Sequence, residues 1–148
     1  MRAPLMVVVV CLASYALPAA MGNDGTRPTN STYLGGSDFD SLHAADVGPD
    51  GSLYVGGWTT STDFPGATYR GHVVARLSND LSAPKWSYTF GGAYANDLNG
   101  LAVASDGAVY VVGTTSAANI VATPGALDEP SAAISPPPLE HGVCLRRA

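Results

Sequence analysis

Three residues in one short stretch have the types that nucleophilic catalysis uses: Ser41, His43 and Asp46. A serine protease-like set needs a nucleophile, a base within hydrogen-bond reach and a third group that orients the base. In an extended segment side chains alternate, so His43 and Asp46 point to opposite faces. That geometry argues against a catalytic set. A second chemistry is cation binding. Asp38-Phe39-Asp40 and Asn96-Asp97 are oxygen-rich, and calcium takes six to eight oxygen ligands. Neither segment approaches an EF-hand loop. Asx residues that cap turns account for the same composition, and no cofactor is expected beyond this calcium alternative. His43, His72 and His141 lack zinc-ligand spacing. Asn30-Ser31-Thr32 is a glycosylation acceptor pattern, which places Asn30 in the open in a host that glycosylates exported chains. The aromatic residues Trp58, Trp86, Tyr33, Tyr54, Tyr69, Tyr88 and Tyr110 offer a stacking platform, with Trp58 the candidate surface contact.

The elements that would carry these residues repeat. When the chain is slid against itself by 56 residues, Tyr33-Leu34-Gly35-Gly36 falls on Thr89-Phe90-Gly91-Gly92, and Asp50-Gly51 on Asp106-Gly107. Tyr54-Val55-Gly56-Gly57 falls on Tyr110-Val111-Val112-Gly113. After a three-residue slip, Pro65-Gly66-Ala67 meets Pro124-Gly125-Ala126. A match at fixed offset marks an internal repeat. At the positions of His43 and Asp46 the second unit has Asn99 and Ala102, so the repeat does not require a base or an acid there. Tyr54 and Tyr110 match, which assigns both to packing between units; Trp58 has only Thr114 opposite it.

Each unit reads as short strands. Trp86–Phe90 ends at a Gly-Gly break, and Leu98–Val103 carries Gly100 where a backbone passes close by. Asp106-Gly107, on which Asp50-Gly51 falls, is a hairpin signal of the type I′ kind. Ala108–Thr114 is a third strand, and His72–Leu77 supplies a fourth in the first unit before the turn Ser78-Asn79-Asp80. Four antiparallel strands per unit predict an all-β fold, a partial β-propeller of two blade-like repeats. The second is incomplete. Asp128 to Pro138 is Pro-rich and unsuited to a sheet interior, which leaves the count one strand short of two full blades. Open edges then call for completion by further blades or for a homo-oligomer.

Tyr33-Leu34-Gly35-Gly36-Ser37, Val47-Gly48-Pro49-Asp50-Gly51-Ser52-Leu53-Tyr54-Val55-Gly56-Gly57 and Thr59-Thr60-Ser61-Thr62-Asp63-Phe64-Pro65 resemble the SBBP-type seven-bladed β-propeller repeat. His72–Leu77 is similar to a further segment of that repeat, with Arg76 where the family has Lys. The resemblance covers residues 31 to 127. It implies a secreted or cell-surface protein with tandem copies and no catalytic residues to carry over.

The ends and the composition fit export. Met1-Arg2 is a positive start, Leu5–Ala13 an apolar core, and Ala19-Ala20-Met21-Gly22 a run of small residues for cleavage. Residues 1–22 are thus expected to be a signal peptide, with 23–30 a linker, 31–84 and 85–127 the two repeats, and 128–148 an unstructured Pro-rich tail. A retained anchor is the lesser alternative, since Pro18 and Ser14 interrupt a barely sufficient apolar run and no basic cluster follows. No stable membrane span is expected after cleavage. Cys144 is then the one cysteine left and has no internal partner to pair with. The net charge of −5, with no Lys/Arg stripe, disfavours nucleic acid as a partner. The expectation is a non-enzymatic binding or scaffolding module for an unspecified protein or glycan, the alternative being the propeller part of an exported enzyme whose catalytic residues lie outside this chain.

Overall fold

The computed structural model describes residues 8–10, 30–67, 69–91, 96–115, 124 and 141–147. Within them every regular element is a β-strand, so the protein is all-β. β1 (Val8–Val10) lies inside the expected signal segment and pairs antiparallel with β2 (Ser31–Tyr33). β3 (Asp40–Val47), β4 (Leu53–Thr59), β5 (Gly71–Leu77) and β6 (Pro84–Phe90) form one antiparallel meander in that order. β7 (Asn96–Val103), β8 (Val109–Thr115) and β9 (His141–Arg147) form the next sheet.

Sheet and repeat are out of phase by one strand. Trp86–Phe90, read from the sequence as the opening of the second unit, is the fourth strand of the first sheet, joined to β5 by a tight turn. The β3–β4 and β7–β8 hairpins form at the two Asp-Gly pairs, but not as type I′ turns. Gly51 (φ 78°) and Gly107 (φ 84°) are left-handed, whereas Asp50 and Asp106 are not. Gly48–Gly51 and Ala104–Gly107 each close with a backbone bond from the last residue to the first. This is a type I turn followed by a left-handed residue. Pro49 fixes the negative φ that the first central position of this type I turn needs. At the other end of the chain, β9 pairs with β8 from His141 onward, where the sequence reading had an unstructured tail. The Pro-rich run stops at Pro138, and the Pro-free stretch beyond it meets an open strand edge.

Alternation along β4 and β5 divides the first sheet into two apolar faces. Leu53, Val55, Val73, Ala75 and Leu77 pack with Leu34, Phe64 and Leu81 on one side. On the other, Tyr54 and Val74 meet Leu98, Val109 and Val111 of the second sheet. That second cluster is a face-to-face seam, with Ala44, Trp86, Phe90, Leu101 and Val103 around it. Gly56 lets the sheets close. A Cβ there would stand 3.0 Å from a Leu98 methyl.

Candidate functional site

The two ends of the first sheet carry different polar networks. At the β3 start, Asp40 is 1% exposed. Its carboxylate accepts hydrogen bonds from Thr59 Oγ1, from Ser61 Oγ at 2.9 Å and from the Gly36 backbone N–H at 2.7 Å. A buried carboxylate needs such donors, and here they bind the β2–β3 connection to the end of β4. Asp63 works beside it on the surface, accepting from the backbone N–H and the hydroxyl of Ser37 at 2.8 and 2.9 Å. Those bonds hold the Asp63 carboxyl below its ordinary pKa. Asp38 accepts from the Phe39 N–H at 2.9 Å and lies 3.7 Å from Arg70. Asp38 and Asp40 are therefore engaged in hydrogen bonds of the loop and its flanks, while Asp97 is exposed on β7. Among the described residues no cluster of three His, Cys, Asp or Glu side chains could hold a metal.

At the hairpin end, Asp50 accepts from the hydroxyl and backbone N–H of Ser52 at 2.9 and 3.2 Å, and pairs with Arg76. Its pKa is lowered to about 2, first by the Ser52 hydroxyl, then by the Ser52 backbone, with Arg76 adding to both. Arg76 also lies over the Tyr54 ring, 5.6 Å from its centroid.

Ser41 and His43 do meet. Ser41 Oγ is 2.6 Å from His43 Nε2 on the exposed side of β3. A β-bulge between Leu42 and Ala44 places His43 as the extra residue of the strand. Asp46 does not join them. One of its oxygens accepts from the Val47 N–H at 2.8 Å and the other from the Val103 N–H at 2.7 Å. Val47 and Val103 are equivalent positions of the repeat, so Asp46 fastens β3 to β7 across the seam. The Ser–His pair has a nucleophile and a base, and the acid that would complete a triad is structural.

Trp58 lies opposite Ser41 on β3 and His72 on β5. It is half-buried, its ring 5.9 Å from that of Phe39, and its Nε1 finds no hydrogen-bond partner among the described residues. The exposed member of the pair is Phe39 rather than Trp58. Asn30 is exposed just before β2. Tyr54 is buried in the seam, 5.9 Å from Trp86, while its equivalent Tyr110 is 39% exposed on the far side of the second sheet. The side chain of Asn96, matched with Asp40, lies outside the described residues.

The sequence reading missed two devices. Gly57 and Gly113 face the paired bulges, where a Cβ would lie 1.9 Å from the Ser41 carbonyl oxygen and 2.2 Å from that of Asp97. Their identical repeat positions were the available signal. Asp46 gave no such signal, because Ala102 stands at its place in the second unit.

No family model, curated protein or solved structure matches the chain. Among the described residues no helix is long and apolar enough to cross a membrane.

Proposed function

We propose that the protein is a non-enzymatic, exported β-repeat module that builds a propeller-type assembly by stacking like sheets, and that it scaffolds or binds a protein or glycan on the loops of that assembly. The observation that carries this reading is the seam. The Tyr54 face of the first sheet is covered by the second sheet, and the equivalent face of the second sheet leaves Val112 49% exposed. A repeat that buries one face on its neighbour presents the same face of that neighbour to a further like sheet. The apolar start of the chain supports export.

The outer face is not an exact copy of the inner one. Val112 stands where the first unit has Gly56, the residue that admits Leu98. A sheet that stacks there has a side chain shorter than leucine at that contact, or seats further out. Sedimentation of the full chain and of Val112→Asp tests the reading. Association that rises with concentration in the parent chain and disappears in the variant is the expected result. A parent chain that stays monomeric throughout the micromolar range overturns it.

A further inference from the structure

The seam contains a histidine whose ring nitrogens have no hydrogen-bond partner among the described residues. This is His72 on β5, which is 2% exposed. Its ring stacks on Phe90 with centroids 5.0 Å apart and planes 23° apart. Beside it is a cavity of about 10 Å³, walled otherwise by Phe90, Leu98, Val111, Val112 and Gly113. Such a space holds one water at most.

The groups around the ring are nearly all uncharged. β4 presents Trp58 opposite it, β6 presents Phe90, and β8 presents Val111, Val112 and the Thr114 backbone. β7 contributes Leu98 and the one nearby carboxylate, Asp97. From β3, His43 is turned to Ser41. Neither Asp97 nor Thr114 closes a hydrogen bond to the imidazole. The neutral ring therefore serves as a flat filler between the sheets, stacked on Phe90.

We infer that His72 makes the seam acid-labile: the neutral imidazole holds the second sheet against the first, and its protonation drives them apart. An imidazolium carries two N–H donors and a charge. A one-water cavity, with the Thr114 backbone and Asp97 outside hydrogen-bond geometry, does not satisfy both donors, so the charged ring is driven out of the seam toward solvent. Burial pushes the His72 pKa below its ordinary value, against the opposing pull of the Thr114 backbone and Asp97. An opened chain takes up the proton near pH 6.5, and the closed chain only at lower pH. Between those two values the open form binds more protons, so closure weakens as pH falls, by up to about tenfold per pH unit. Above the ordinary histidine value the effect is absent.

Backbone hydrogen exchange on the full chain, compared at pH 7.5 and 5.5 after correction for intrinsic rates, tests this. Protection on β7 and β8 should fall on acidification in the parent chain and hold in His72→Phe, whose ring still stacks on Phe90. Parallel profiles in the two proteins overturn the inference. If the variant does not fold, titration of the His72 ring protons in the parent chain decides: a midpoint below 6.5 with loss of seam protection at the same pH supports it, and a midpoint at or above 6.5 overturns it.

Discussion

Leu81 shows how burial decides the conformation of a single residue. It closes the β5–β6 turn with the same backbone bond, from Leu81 N–H to the Ser78 carbonyl, that Gly51 and Gly107 make in the other hairpins. The position is left-handed, φ 59°, where a leucine loses about 1–2 kcal/mol. The side chain is 6% exposed in the cluster of Leu77 and Phe64, and burying it returns about 1.5–3 kcal/mol. The two effects nearly balance, with burial ahead. Leu81→Gly gives up the burial and relieves the backbone, so its net loss should be about 0.5–1 kcal/mol in urea unfolding, on these same scales. Leu77→Ala, with no relief to offset it, should lose about 2–5 kcal/mol. A glycine variant that loses as much as the alanine variant would show that the turn is unstrained. The sequence marks Ser78-Asn79-Asp80 as a turn from its residue types. It does not reveal that the next residue is buried, because that depends on which face of the sheet lies above the loop. Ser41 and His43 escape that limit, since residues two apart on a strand share a face. For His43 and Asp46 strict alternation is no guide, because the bulge at His43 resets it.

The bulge belongs to the element, and both units have it. β3 slips between Leu42 and Ala44, and β7 slips between Leu98 and Gly100, at matched positions of the repeat. Gly57 and Gly113 stand across from the slips with no room for a Cβ. Sequence inspection points instead to Gly100 as the close-approach residue, and its Cβ would meet only a Val112 methyl at 3.1 Å. A methyl group can move aside and a carbonyl in a ladder cannot. Gly57→Ala and Gly113→Ala should therefore each lose about 1–3 kcal/mol or more, as overpacked sites do, and Gly100→Ala should lose less. Urea unfolding of the three variants ranks them. If Gly100→Ala is the worst, the ladder at the bulge is softer than the packing beside it. In Gly57→Ala the His43 ring resonance should also shift, since the bulge that sets the Ser41 contact must move.

At the scale of the whole molecule, the repeat was legible while its division into sheets was not. Similarity at a 56-residue offset depends on residue type alone. Which four strands share a sheet depends on hairpin pairing, and β6 joins β5 through their register from His72↔Phe90 to Leu77↔Pro84. The seam between the sheets is mainly apolar, and apolar contact has little preference for register. Asp46 supplies the directional part. It reaches from β3 to the Val103 N–H, at the last pair of the β7–β8 ladder, Val103↔Val109. In Asp46→Ala that half-buried N–H loses its acceptor, a loss of about 0.5–1.5 kcal/mol. Asp46→Asn keeps one carbonyl oxygen and should lose less. Exchange of the Val103 amide reads the contact directly: it should accelerate in Asp46→Ala while amides of β4 and β5 keep their protection, because those strands pair within their own sheet. If Val103 stays protected, the apolar seam alone fixes the second sheet, and Asp46 serves only to cap its own strand through Val47.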